Sequence, residues 1–405
     1  MGESVLPRHM KWPLYLLAAF PISDYFLHIY PWGIIGGQWD KILLIFFAIF
    51  VIRAYFLGDR RPLFKSQKMV IFVALLGLVY VLMDTGYLKV AFAGYRVDYM
   101  YMLFMLTLPY IVEKDDILPL LKFMVFSGFL VALHGVYQYV VKAPIPAAWL
   151  NLGEHERTRV YSIFGSPNIM GSYMAFIAPT AFGVALYEKH RGKRWFYILA
   201  AVFSVMSLVF SFTRGAWFAF FLGVLIFTWL VDKRLTIAAI IIALAAVLFV
   251  PPIHARIAQF FSIVYWAKTM ESGRIARWMN AYDQMRNNPL FGAGLGRYGG
   301  AVASRFFGVI YVDNYYAKTL AETGLLGLIS YVGLLAVYLR EVYKAAKVHF
   351  KTPLGYVFIG VFSSLVVMVA HNFVENIFEV PTMNYLFWFA GTMVLIYSKG
   401  AAKSE

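Results

Sequence analysis

Long, nearly uninterrupted apolar runs leave this chain few ways to fold. Residues 12–30, 39–57, 69–84, 96–112, 117–141, 168–187, 195–212, 215–231, 235–251, 318–343, 354–373 and 382–398 are each such a run. A helix crosses hydrocarbon with roughly 17–25 apolar residues. In lipid the backbone must satisfy its own hydrogen bonds, so open sheet edges are not viable. The expectation is an all-α integral membrane protein with about twelve transmembrane helices, residues 1–405 forming one transmembrane domain. Composition agrees: 61% of residues are apolar and 14% charged, with a mean hydropathy of +0.68. Soluble domains average about 45–50% apolar and 25% charged.

Basic residues set an orientation. Arg53, Arg60, Arg61, Lys65 and Lys68 follow the second run, and Lys189, Arg191, Lys193 and Arg194 the sixth. Lys233 and Arg234 follow the eighth, and Arg340, Lys344, Lys347 and Lys351 the tenth. All fall on one side, which the positive-inside rule makes cytoplasmic, with both termini. The first run lacks a small-residue cleavage site and reads as a retained span. The net charge of +15 suits anionic lipid. With no soluble basic domain to hold it, nucleic acid is not an expected partner. The absence of cysteine excludes disulfides and thiolate metal sites.

The opposite side then carries arginines that this rule does not explain: Arg96, Arg157, Arg159, Arg214, Arg274, Arg277, Arg297 and Arg305. An anionic ligand would account for them. Residues 252–317 form a long extracytoplasmic loop, and loops of that length are usually functional. Within it, "IHARIAQFFSIVYWAKTM" has helix-like spacing and suits the membrane surface. "GRIARWMNAYDQMRNNP" predicts a second amphipathic helix ending at Asn287-Asn288-Pro289.

Arg214 is the sharpest single residue. No other charged side chain lies between Phe196 and Val231, so Thr213-Arg214-Gly215 reads as a hairpin turn near the outer interface. An arginine at that depth is a functional candidate, with snorkelling to headgroups as the alternative. Arg159 precedes Pro167-Asn168, where Asn168 is a candidate helix cap and a helix N-terminus beside arginine favours an anion. Arg274 and Arg277 lie on adjacent turns and reach one site, although surface helices commonly carry such charges.

Asp313 is either an N-cap or a base. Lys318 and Glu322 pair at i,i+4, and Gly324 and Gly327 permit close packing. His371, Glu375 and Glu379 share helical spacing, but without an HExxH arrangement no metal is expected; His371 reads as an intramembrane hydrogen-bonder. Gly292, Gly294 and Gly296 lack the βαβ context of a dinucleotide loop and read as a tight turn with close backbone approach.

Taken in order, "RVYSIFGSPNIMGSYM", "SFTRGAW", "GRIARWMNAYDQMRNNPLFGAGLGRY", "DNYYAKTLAETGLLGL" and "HNFVENIFEVP" resemble the O-antigen ligase/polymerase superfamily over much of 157–391. The resemblance implies glycan transfer from undecaprenyl diphosphate to an acceptor hydroxyl, on the outer face of a bacterial inner or plasma membrane. It implies no metal and no cofactor; the partners are the lipid-linked glycan, a glycan or lipid-linked acceptor, and membrane lipid. Ligases of this family carry His-Asn/Ser/Gln, nine residues, then GxxG. Here Asn314 and Gly324-Leu-Leu-Gly327 keep that spacing, while Asp313 replaces the histidine. The pattern therefore leans toward a polymerase-like member with Asp313 as substitute base. The alternatives are a ligase acting on lipid A-core and a transporter of an anionic or lipid-linked substrate. Arg214, Arg159 and Arg274, at the matching motifs, are expected on the diphosphate, with Arg277 and Arg96 beside them and Asn168, Asn314 and His371 in support. Arginine forks bidentately onto phosphate, and preorganised cations stabilise the charge of a leaving diphosphate.

Overall fold

A computed structural model describes residues 4–29, 36–146, 149 and 158–401. Their regular elements are all helices, and no strand occurs among them. The helices are α1 (Trp12–Ala18), α2 (Phe20–Ile29), α3 (Trp39–Phe56), α4 (Lys65–Met83), α5 (Leu88–Asp98), α6 (Phe104–Ile111), α7 (Lys114–Val140), α8 (Pro167–Tyr187) and α9 (Arg191–Phe210). They continue with α10 (Arg214–Val231), α11 (Lys233–Phe249), α12 (Pro251–Ala258), α13 (Ile263–Glu271), α14 (Arg274–Arg286), α15 (Ala301–Phe307), α16 (Tyr315–Lys347), α17 (Pro353–His371) and α18 (Pro381–Ala401).

Among the described residues, seven helices are long and apolar enough to cross a membrane: α4, α7, α8, α9, α10, α16 and α17. The α11 segment and the following turn, bent by 88°, make an eighth if counted as one span. The chain is thus a multi-pass, all-helical protein. The other expected spans do not reach that standard; α3, for example, carries Asp40, Lys41 and Arg53. The expected continuous span over 96–112 is corrected. The chain instead makes α5, a short 3-10 turn and α6. Asp98 explains the break: it is buried, accepts from Tyr315 Oη at 3.0 Å and pairs with Lys318 Nζ at 2.8 Å. The run at 12–30 also breaks, at Ala19 before Pro21, a residue that lacks an amide donor. "IHARIAQFFSIVYWAKTM" divides into α12 and α13, whereas α14 ends at Arg286, one residue before the expected stop.

The centre of the bundle is α8, with 83% of its apolar window buried. It lies against α17, and the contact is polar as well as apolar: Thr180 Oγ1 and Ser364 Oγ are 3.0 Å apart. Hydroxyls bridging helices suit an interior where lipid-like surroundings give apolar contacts little advantage.

At Gly324, α16 breaks (φ 63°, ψ −166°). The "FGAGLG" loop fills the break. Ala293 and Gly294 donate to the carbonyls of Ala321 and Glu322 at 2.8 and 2.9 Å, and Leu325 and Leu326 donate to those of Pro289 and Leu290. Backbone groups released by the interrupted helix therefore find partners. A Cβ at Gly324 would lie 2.5 Å from the Leu290 carbonyl carbon, and one at Gly292 (φ 69°) 2.5 Å from that of Glu322. The close approach expected of these glycines is loop against broken helix.

Candidate active site

The N-terminal ends of α8, α10 and α16 and the C-terminal ends of α9 and α17 meet at one end of the bundle. Arg159 Nε donates to Ser211 O at 3.0 Å, and Tyr315 N to Asn372 O at 2.9 Å. The Lys/Arg-rich connections after α8, α10 and α16 lie at the other end.

The α9–α10 connection is only residues 211–213, with Phe212 in the left-handed region at φ 52°. Arg214 opens α10. Its NH1 donates to Gln259 Oε1 at 3.1 Å, and its guanidinium lies 4.7 and 5.0 Å from the Phe260 and Tyr265 ring centroids. Arg256, only 4% exposed, donates to the same Gln259 oxygen at 3.3 Å and to Phe212 O at 3.4 Å.

Arg159 is buried and also donates from NH2 to Asn168 Oδ1 at 3.3 Å. The expected cap of α8 is corrected: Ser166 takes that position and accepts from Ile169 N at 3.4 Å. Asn168 is left to bridge. Its Oδ1 also accepts from Thr213 Oγ1 at 3.3 Å, and its Nδ2 donates to Glu375 Oε2 at 2.5 Å. Burial pushes the Glu375 carboxyl up to about 7; the Asp313 charge adds to this, and Arg274 and the Asn168 hydrogen bond oppose it.

Asp313 does not cap α16. Asn314 does, accepting from Tyr316 N and Ala317 N at 3.0 Å each. Asp313, at φ 51°, pairs with Arg277 NH1 at 3.0 Å and Arg274 Nε at 3.5 Å. His371 is buried with Nδ1 2.8 Å from Ser172 Oγ.

These groups surround one cavity of about 530 Å³, lined by Arg159, Arg214, Arg256, Lys268, Arg274 and Arg277, with Asp313, Asn168 and His371. Among the described residues, six cations and one carboxylate line it. Beside it runs an apolar groove of about 420 Å³ between α10, α13, α14 and α17; the two share Gly215, Tyr265, Thr269 and Arg274.

The structure brings Arg159, Arg214, Arg274, Arg277, Asp313, Asn168 and His371 together. It leaves Arg96 out: that residue lines a separate cavity of about 200 Å³ with Asp24, Asp40, Lys41 and Tyr101, which corrects its expected place beside the other arginines. Arg297 is paired with Asp84 at 2.6 Å and lies 4.0 Å from the Tyr87 ring centroid, and Arg305 lies beside Phe306. Arg157 lies outside the described residues. His371, Glu375 and Glu379 do not share a ligand face: they turn to Ser172, to Asn168 and to Lys318, respectively. No group of three His, Asp or Glu residues suited to a metal occurs among the described residues. Lys318 does pair with Glu322 at 3.1 Å, and with Asp98 and Glu379 as well.

Arg256, Gln259 and Lys268 extend the site beyond the residues singled out from sequence. The i,i+3 spacing of Arg256 and Gln259 is visible in the sequence. Lying in a surface helix of mixed polarity, it does not separate a site from a solvated face.

A multi-pass helical membrane protein with a cationic cavity at the end opposite its basic loops is the class that fold and site define. Residues 199–332 match a family model described as O-antigen ligase, which supports membership of the O-antigen ligase/polymerase superfamily. No curated protein matches the chain. The matched stretch holds Arg214, Arg256, Arg274, Arg277 and Asp313. Arg159, Asn168 and His371 fall outside it and reach the site through the fold.

Proposed function

We propose that the protein transfers a glycan from an undecaprenyl-diphosphate carrier to an acceptor hydroxyl. The reading is polymerase-like, with the reaction on the outer face of a bacterial inner or plasma membrane. The family match supports O-antigen ligase/polymerase-type function, an enzyme of glycosyltransferase type. The single observation that carries the finer reading is the cationic cavity beside an apolar groove, with Arg274 lining both. A lipid diphosphate needs those two surfaces in contact: cations for the headgroup, apolar side chains for the tail.

In this reading Arg214, Arg159 and Arg274 hold the diphosphate and stabilise the charge that develops as the glycosyl bond breaks. Arg277 and Asp313 keep Arg274 in place. Asn168 and His371 fix the walls, and Asn314 sets the start of α16.

The test uses purified protein in nanodiscs with a defined undecaprenyl-diphosphate oligosaccharide. A ladder of products is expected; a single shift on lipid A-core would indicate the ligase. Movement of the lipid-linked substrate across the bilayer with no new glycosidic bond would overturn the enzyme reading in favour of a transporter.

A further inference from the structure

We propose that Glu375 is the general base of the transfer: held by Asn168 beside the cationic cavity, its carboxylate takes the proton of the acceptor hydroxyl. The inference rests on the glycan-transfer reading above and adds to it a residue from the α17–α18 connection.

Two carboxylates stand near the cavity, and their surroundings differ. Asp313 is engaged by two guanidiniums, Arg277 at 3.0 Å and Arg274 at 3.5 Å. Glu375 accepts instead from a neutral amide, Asn168 Nδ2 at 2.5 Å, with the backbone N–H of Asn376 adding a second contact. The groups that face it are Asp313 before α16, Arg274 on α14, Asn168 on α8 and Tyr311. Burial and the Asp313 charge favour its protonated form, which keeps it poised near neutral pH, where a base works best. His371, one turn earlier, is only 2% exposed and is tied to Ser172, which itself donates to Asn168 O at 2.8 Å. That chain positions Asn168, and Asn168 joins Glu375 to Arg159 through the two ends of one amide.

The step balances simply. The acceptor oxygen bonds to the anomeric carbon as its proton passes to Glu375. The bond from that carbon to the diphosphate breaks, and its electron pair stays on the diphosphate oxygen, which the arginines hold. Glu375 then returns its proton to water.

The experiment measures kcat/KM against pH in nanodiscs, with donor binding measured in parallel. In the unaltered protein the rate should rise with pH through about 7, as Glu375 ionises. Glu375→Gln should abolish that limb and lower the rate by about 10²–10⁴-fold while donor binding persists. Glu375→Asp should keep the limb at a reduced rate, which guards against a folding defect. Asp313→Asn removes a charge that raises the Glu375 pKa, so the limb should move to lower pH; Arg274→Ala should move it higher. A near-normal rate and unchanged limb in Glu375→Gln would overturn the proposal and leave the transfer reading intact. So would loss of the limb in His371→Gln with its retention in Glu375→Gln. Absence of any new glycosidic bond with the unaltered protein would overturn both.

Discussion

Arg214 and Arg256 donate to a single oxygen, Oε1 of Gln259, at 3.1 and 3.3 Å. Two guanidinium groups thus converge at one point of the cavity wall, a placement that suits an anion. Gln259→Leu removes the acceptor that both share, at about 1–3 kcal/mol. Its thermal midpoint should fall, and inorganic pyrophosphate should restore more of it than in the unaltered protein; equal shifts in the two would count against an anion site.

Arg214→Ala should lower kcat/KM by about 10²–10³-fold with protein level unchanged, the scale of removing one preorganised donor from developing charge. Arg214→Lys keeps the charge but loses the planar fork and should recover only part of that. Near-normal turnover of the alanine variant in a nanodisc assay would exclude Arg214 from the chemistry.

Transfer should continue in EDTA, because six cations already line the cavity. Full loss, restored by Mg²⁺ or Mn²⁺, would show that an ion is needed.

Lys318 holds Asp98, Glu322 and Glu379 at 2.8, 3.1 and 3.3 Å, all buried. Lys318→Met should cost about 3–5 kcal/mol by leaving those charges uncompensated. Burial already raises the Glu379 pKa. Without the lysine it rises further, so the variant should be most stable at low pH and lose stability as pH climbs through that raised value. A thermal midpoint independent of pH would refute this.

With no native cysteine, single-cysteine labelling reads sidedness directly. Lys193→Cys should be shielded from an impermeant reagent added outside, and Asn287→Cys should react; both positions are exposed. The reverse pattern would invert the topology.

Much of the helix order was legible because apolar runs report burial in lipid or core regardless of partners. The fourth run misled because Asp98 gives up helical continuity to meet Lys318, a residue 220 positions away. Arg214, Arg159 and Arg274 stood out by depth and motif. Arg96 has the same chemistry and the same expected side of the membrane, but its place beside Asp24 and Asp40 depends on how α2, α3 and α5 pack. Arg256 was hidden for the opposite reason: it sits in an ordinary amphipathic pattern, and only the fold turns it onto the carbonyl of Phe212.

The amide of Asn168 reaches across 207 positions to Glu375. During synthesis the chain reaches Asn168 long before the segment that completes the cavity wall. A nascent protein stalled before α17 would hold Arg159 and Arg214 without Glu375 or His371. Under the proposed transfer, competence therefore arrives late in biogenesis: a truncated chain keeps arginines proposed to hold the carrier and lacks the carboxylate proposed to help discharge it.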